Sequence, residues 1–294
     1  MTTPNTPVRI LIKTTIAPAE QDWCANRFSL LARHLASIGG PGGELYEVVS
    51  ADRRETADGD DADLADLAQG RWDQLWLLAT DVTGALTPGD AANIQAFRAK
   101  GGGVFLSRDH QDLGAASLTA LGALGATEHF QTINPELDEA RRCCDDLDTP
   151  AISWPNYHSG ANGDLQTIEA IEPLHPILRR PSGEPISRLP SHPHEGAVGV
   201  PEALKGSARL VARGRSRITG SVFGLCVAVE EPGLGRAVAD SSFHHVADYN
   251  WDPRLGCPSF VTEPVGDAVL KDPHALDDVH TYVANIAAWL ARRI

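Results

Sequence analysis

A polar stretch late in the chain holds the densest set of reactive side chains. Small apolar residues alternate from Arg236 to Asp240 and predict a short strand, which is followed by Ser241, Ser242, His244 and His245. Open α/β sheets bind ligands beyond the carboxyl ends of their strands. This position therefore predicts that His244 and His245 are catalytic. The alternative is that both histidines cap a turn while the neighbouring aromatic residues close the core.

A second reactive group follows an earlier predicted strand. Arg108, Asp109 and His110 come directly after the apolar run 104–107 and precede a predicted helix. At the top of a strand and near the positive end of a helix, they lie where catalytic groups and anions are commonly held. We therefore predict that Asp109 and His110 are catalytic and that Arg108 binds substrate. A salt-bridged turn is the alternative.

The segment His192-Pro193-His194 has the sharpest spacing in the chain. Pro193 favours an extended backbone, in which side chains two residues apart share a face and can bind one ion together. The third ligand could come from any of four residues: His244, His245, His158 or Asp109. We predict a site of His192, His194 and His245 that holds one divalent ion, with zinc favoured because imidazole suits first-row metals. The alternative is that both histidines bond to loop backbone.

The same residues also support chemistry without a metal ion. Histidine titrates near neutral pH, and a neighbouring carboxylate can fix its tautomer. Asp109 with His110 or His245 would then act as a general acid and base. Hydrolysis, isomerisation and elimination all use such a pair, so the reaction type stays open.

Regular periodicity disappears between Phe130 and Gly206, where Pro, Gly, Asn, Asp and His dominate. A loop this long is usually functional or disordered, and its aromatic and histidine residues favour order. We predict that 130–206 is a loop-rich insertion or lid over the carboxyl ends of the strands. The substrate-binding candidates are Asn156, Tyr157, His158 and Asn162 from this insertion, with Asp248 from the later polar stretch.

Short apolar strands alternate with helical patterns in the first half of the chain. Strands are predicted at Val8–Ile12, Leu45–Val49, Leu75–Ala79 and Val104–Ser107, and helices at Ala19–Ile38, Pro88–Lys100 and Ala115–Ala126. This alternation predicts a flavodoxin-like, doubly wound and mainly parallel α/β sheet with helices on both faces.

The second half of the chain completes this sheet in the predicted fold. The apolar runs Arg209–Ala212 and Ser221–Glu230 indicate a hairpin. A last helix, with Asp272-Pro273 as its cap, presents an inward stripe that packs on the sheet. We predict a single domain over residues 1–294, with 130–206 as an insertion within it.

Composition excludes several classes of partner. The 294 residues carry a net charge of −14, whereas nucleic acid and anionic membranes need clustered Lys and Arg. No apolar run reaches membrane-spanning length and no targeting segment opens the chain, so we expect a cytoplasmic protein. The expected partner is a small polar molecule. Gly101 to Gly103 precede a strand rather than follow one, so no nucleotide cofactor is predicted. Homodimerisation is left open.

The five cysteines are an odd number without framework spacing, which indicates free thiols. Adjacent Cys143 and Cys144 could hold a soft metal or form a redox pair. However, Asp145 and Asp146 follow them, and neighbouring carboxylates raise a thiol pKa and lower its reactivity. We therefore predict no functional role for this pair.

Five short segments carry a resemblance to a known family: Val8–Ile12, Asp73–Asp81, Gly101–Leu106, His175–Ile177 and Gly233–Val238. Together they resemble the class I glutamine amidotransferase-like superfamily and, within it, the trehalose-utilisation (ThuA-like) group. The resemblance covers most of the chain, although the region 130–206 as a whole follows no known pattern. It implies an α/β fold and a link to sugar metabolism, hence a carbohydrate-like substrate.

The chain departs from the amidotransferases at the nucleophile. That superfamily's glutaminases need a cysteine at the elbow after the fourth strand and a downstream histidine. Here the elbow carries Arg108, Asp109 and His110, with no cysteine nearby. We therefore predict an enzyme of hydrolase, isomerase or lyase type that works through a His- and Asp-rich, metal-bearing cleft and not through a thiol. The alternative is a non-catalytic binding or sensor protein.

Overall fold

An eight-stranded sheet lies at the centre of the computed structural model, which describes residues 6–40, 43–80, 86–109, 118–128, 143–149, 152 and 156–294. The strands in chain order are β1 Val8–Thr14, β2 Gly39–Gly40, β3 Gly43–Glu44, β4 Tyr46–Ala51, β5 Gln74–Ala79, β6 Gly103–Arg108, β7 Leu165–Thr167, β8 Glu169–Ala170, β9 Arg188–Pro190, β10 Ala208–Arg215, β11 Val222–Val229 and β12 Ala237–Asp240.

The order in the main sheet is β4-β1-β5-β6-β12-β11-β10-β8. Neighbours from β4 to β12 pair in parallel, whereas β11, β10 and β8 extend the sheet with antiparallel pairs. Short pairs β2–β3 and β7–β9 lie apart from it. An order in which the first strand lies between the next two is that of flavodoxin-like folds. The predicted fold class and the β10–β11 hairpin are therefore confirmed.

The central strands are mostly apolar because both faces of the sheet are covered. In β5, Trp76 and Leu78 join the cluster that includes Leu31, and Leu75 and Leu77 join the opposite cluster. Every residue of β5 is buried. Helices on both faces, as predicted, shield the parallel strands from water.

The helices are α1 Ser29–Ser37, α2 Ala62–Ala65, α3 Pro88–Ala99, α4 Asp248–Trp251, α5 Ala268–Lys271 and α6 Asp277–Leu290. The start of α3 follows the predicted pattern, because Thr87 and Asp90 form a reciprocal capping box around Pro88. Within the described ranges, no helix combines the length and apolar character needed to cross a bilayer.

Three predicted helix boundaries were wrong. The helix predicted from Ala19 begins only at Ser29, after a 3-10 turn, because Asp52 Oδ1 accepts from the Ala25 amide at 2.6 Å. The helix predicted over Ala115–Ala126 is replaced from Thr119 on by two 3-10 turns, since Gly122 takes φ +62° between them. Asp272 does not cap α6 but forms an ion pair with Arg188 at 2.9 Å.

The described part of the insertion 130–206 extends the fold along its antiparallel edge and near the carboxyl ends of the strands. β8 pairs with β10, and β7 pairs with β9. Tyr157 and Glu195 exchange two backbone hydrogen bonds of 2.9 Å, which joins two segments that are 38 residues apart. This pairing places 192–195 against the sheet.

Candidate functional site

The carboxyl ends of β6, β9 and β12 bring a cluster of histidines together. β6 and β12 are parallel neighbours, with Ser107 opposite Asp240, so Asp109 and His244 emerge at the same edge. His244 Nε2 lies 3.0 Å from Asp109 Oδ1. The His192 ring, just after β9, stacks on His244 with centroids 3.6 Å apart. Three residues predicted from distant parts of the sequence thus meet in one buried group.

Two asparagines fix the orientation of both rings. Asn250 Nδ2 donates to the carbonyl oxygen of Ser191 at 2.9 Å and to Asn162 Oδ1 at 3.0 Å. Asn162 Oδ1 also faces His192 Nδ1 at 2.9 Å, and Asn250 Oδ1 faces His244 Nδ1 at 3.3 Å. Because a carbonyl can only accept, the Asn250 amide has one allowed orientation, and both Nδ1 atoms must carry the proton.

This tautomer directs the Nε2 atoms away from the asparagines. Unless His244 is doubly protonated, its Nε2 lone pair faces a carboxylate oxygen at 3.0 Å. A proton or a metal cation is needed between two such acceptors. One possible ligand atom from each of Asp109, His192 and His244 lies within 4.8 Å of the other two.

His194 lies beside this group but belongs to a second one. Its ring centroid is 4.2 Å from that of His192, and its Nδ1 contacts Asp146 Oδ2 at 2.9 Å. Asp146, His194 and Glu263 also have possible ligand atoms within 4.8 Å of one another. The predicted pair His192 and His194 is therefore divided between two adjacent groups, which have different partners.

His245 points the other way, into a separate buried network. Its Nδ1 lies 2.8 Å from Asp240 Oδ1 and its Nε2 lies 2.6 Å from Glu195 Oε1. Tyr282 donates to the other Asp240 oxygen at 2.7 Å. Burial lowers the pKa of His245, but the two carboxylates outweigh burial and raise it to about 10. With both ring nitrogens held by carboxylates, His245 is not placed as the third metal ligand or as the base beside Asp109.

Arg108 and Asp248, both predicted to bind substrate, are instead held by contacts within the fold. Arg108 is fully buried, where its Nε contacts Glu128 Oε2 at 2.5 Å and its Nη2 donates to Ala197 at 3.2 Å. Asp248 accepts from Ser29 Oγ at 2.6 Å and from the Leu30 amide at 2.7 Å, at the start of α1. These contacts favour roles in the fold over substrate binding.

The insertion candidates differ from one another. Tyr157 is buried and stacks on Phe223 at 4.6 Å, so it is part of the core. Asn156 is also buried, and neither amide atom has a hydrogen-bond partner among the described residues. His158 is half-buried, and its amide donates to Asp145 at 2.6 Å. Asn162 belongs to the histidine cluster itself. His110 lies outside the described residues.

Several residues of the site carry no sequence signal of their own. Asn250, Asp146 and Glu263 were missed because their partners lie far away in the chain. Glu195 directly follows His194 and could have been suspected from that position. Trp23 was also missed: its ring meets that of His244 edge-on at 4.8 Å and covers the cluster.

A separate cavity of about 550 Å³ opens at the opposite edge of the sheet, lined in part by Arg9, Asp73, Lys100 and Arg292. It lies at the amino end of β1. Parallel sheets bind their ligands at the carboxyl ends of strands, and the residues described around this cavity include no histidine or cysteine. The histidine cluster is therefore the better candidate site.

The cysteines are free, and burial makes most of them unreactive. Burial and Asp145 raise the pKa of Cys143 to about 12, and burial raises that of Cys226 well above the ordinary range. Cys144 is exposed. Since the thiolate is the reactive form, we expect iodoacetamide at neutral pH to label Cys144 and to spare Cys143 and Cys226, as measured by peptide mass spectrometry. Equal labelling of Cys226 and Cys144 in folded protein would contradict this.

No protein-family model and no curated protein matches the chain. Among solved structures, the chain is similar to the glutaminase domain of Trypanosoma brucei CTPS with bound acivicin. The TM-score is 0.49 and the identity 15%, over 97% of this chain and 94% of that chain. A similarity of this degree does not assign an activity to this chain. The ThuA-like grouping stays a prediction.

Proposed function

We propose that the chain is a metal-dependent enzyme of hydrolase type, with Asp109, His192 and His244 as the ligands of one divalent ion. The observation that supports this most is the asparagine network. It commits both histidines to the tautomer that metal ligands require, with Nδ1 donating to an amide oxygen and Nε2 directed away from the amides. A cluster that served only for packing would not need both rings oriented in this way.

The donor set suits zinc. Two histidines and one carboxylate form a three-ligand set that leaves a coordination position open, as in catalytic zinc sites. The same set also binds Fe(II), so the element has to be measured and not assumed. When bound, such an ion would act as a Lewis acid and would make a water molecule nucleophilic at neutral pH.

The protein's own residues supply position and shielding. Asn250 and Asn162 hold the rings, while Trp23 and Phe243 cover the His244 ring with centroids at 4.8 and 4.6 Å. Asn162 Nδ2 is buried and has no hydrogen-bond partner within the described part of the chain. It is a donor beside His192 that is suited to an oxygen of a bound substrate.

The proposed substrate is a small molecule rich in neutral oxygen groups. Asn162 offers a donor of the kind that recognises hydroxyl or carbonyl oxygens, and the net charge of −14 disfavours polyanionic partners. A carbohydrate-like substrate agrees with the resemblance in the sequence and is the first class to test. No nucleotide cofactor enters this proposal.

One specific distance also supports a mechanism without a metal ion. The 3.0 Å contact between Asp109 Oδ1 and His244 Nε2 would also suit an imidazolium held by a carboxylate. This pair could then exchange protons with substrate directly. The two readings differ in whether an ion is bound.

Elemental analysis of protein purified without added metal separates the readings. We expect at least one equivalent of zinc or another first-row ion per chain, release of the ion as the histidines protonate at acid pH, and loss of turnover after chelation. Turnover is screened on ester and glycoside substrates, and zinc restores it.

Two outcomes would contradict the proposal. A preparation that is fully active, free of metal and indifferent to chelator would favour the acid–base pair. A preparation that binds the ion but turns over no ester or glycoside would favour a binding or sensor protein.

A further inference from the structure

We propose a second cation site beside the first, formed by Asp146, His194 and Glu263. His194 Nδ1 lies 2.9 Å from Asp146 Oδ2 and 3.9 Å from Glu263 Oε1. The three side chains come from separate segments of the chain. Two carboxylate oxygens and one imidazole nitrogen thus face a common point.

The charge of this group calls for a cation. The side chains of Asp146 and Glu263 are 0% and 7% exposed, so both carboxylates are largely removed from water. Among the described residues, His194 is the one basic group that forms an ion pair with either carboxylate. Removing a carboxylate from water without a partner is costly. One imidazolium at most balances one of the two negative charges.

A second, independent observation concerns Glu263. Its Oε2 is buried and has no hydrogen-bond partner in the ranges that the structure describes. Buried carboxylate oxygens are nearly always satisfied. An oxygen left in this state next to a second carboxylate and an imidazole is explained by a bound cation.

Asp146 is already oriented for this role. The Asp148 amide donates to Asp146 Oδ1 at 2.9 Å, and the Thr149 hydroxyl donates to Asp146 Oδ2. Such partners fix the direction of a ligating carboxylate. Two carboxylates and one imidazole suit divalent Mn, Fe or Zn, with a harder donor set than that of Asp109, His192 and His244.

The two sites adjoin through the segment 192–194. The centroids of the His192 and His194 rings are 4.2 Å apart, and each histidine serves its own group. Paired ions are used in hydrolytic enzymes to hold an attacking and a leaving oxygen together. The catalytic meaning of a paired centre rests on the proposed function, but binding of a cation at the second site does not.

Counting ions per chain tests the second site. Wild-type protein and variants are stripped, equilibrated with excess Zn²⁺ or Mn²⁺, freed of loose metal and analysed for bound metal. We expect two equivalents for wild type and one for Glu263→Gln or Asp146→Asn. For these variants, affinity at the lost site should fall by more than about 100-fold, the upper end of the cost of an outer-shell partner. Glu202→Gln, whose side chain is 87% exposed, is the matched control and should keep two.

The outcomes distinguish this site from the first. If Glu263→Gln and Asp146→Asn keep every ion that wild type binds, the second site is overturned. If wild type binds one ion that only His244→Ala removes, the first site stands alone. If only Glu263→Gln and Asp146→Asn remove it, the first site fails and the second stands. Should a variant not fold, Mn²⁺ titration of wild type followed by electron paramagnetic resonance still counts sites, and saturation below two ions overturns the pair.

Discussion

We expect His244→Ala to lose the ion held with Asp109 and His192 and to lower turnover on the order of 10²- to 10⁴-fold, the range for loss of a positioned catalytic group. The imidazole contacts Asp109 at 3.0 Å and stacks on His192 at 3.6 Å, so its removal takes away a ligand and loosens both others. Metal analysis, circular dichroism and single-turnover kinetics measure the three effects separately.

A second variant tests the tautomer argument directly. Asn250→Leu removes the acceptor for His244 Nδ1 and the donor to Asn162, while every proposed ligand stays in place. Loss of an outer-shell partner typically weakens metal binding by about 10- to 100-fold. Asn285→Leu is the matched control, because Asn285 bonds to the carbonyls of Ile177 and Arg179, outside the cluster. Wild-type affinity in Asn250→Leu would show that the amide network does not set the site.

The sheet could be predicted because each strand is recognisable from its own short segment of sequence. Strands buried on both faces, such as β5 and β6, are mostly apolar, and short apolar runs between helices leave few other folds. The helix boundaries were less predictable because distant contacts decide them. Asp52, for example, binds the Ala25 amide from the end of another strand.

The ligand candidates were visible as residue types but not as partners. Sequence spacing pairs His192 with His194, since both lie on one extended segment. The fold separates their functions because Asp109 and His244 reach one ring and Asp146 and Glu263 reach the other. Contacts over 48 residues and more leave no periodic signal.

His244, and not the predicted His245, joins Asp109 and His192, and the reason is local. Both follow β12 and lie in one 3-10 turn, Phe243–His245. With about three residues per turn, neighbours in such a turn point in directions about 120° apart. One histidine must then face Asp109 while the other turns toward Glu195, and the sequence does not say which.

We expect His245→Gln to destabilise the protein by about 3–5 kcal/mol, the usual cost of breaking a buried ion pair from one side. Asp240 and Glu195 are 1% and 0% exposed, and both would lose the imidazolium between them. Glutamine is neutral and cannot balance two carboxylates. Urea unfolding at neutral pH, followed by circular dichroism, measures the free energy of unfolding.

The loss of stability in His245→Gln should come from the two unpaired buried carboxylates and not from lost packing. Adding Glu195→Gln to His245→Gln should therefore recover part of the stability, because one unpaired carboxylate is gone. His274→Gln is the matched control, since its side chain is 76% exposed and its carboxylate partner is on the surface, where such pairs contribute about 0–1 kcal/mol. A loss below about 1 kcal/mol in His245→Gln, or no recovery in the double variant, would mean that this network does not hold the β12 end in place. His244, the next residue, would then owe its position to Asn250 and to its aromatic neighbours alone.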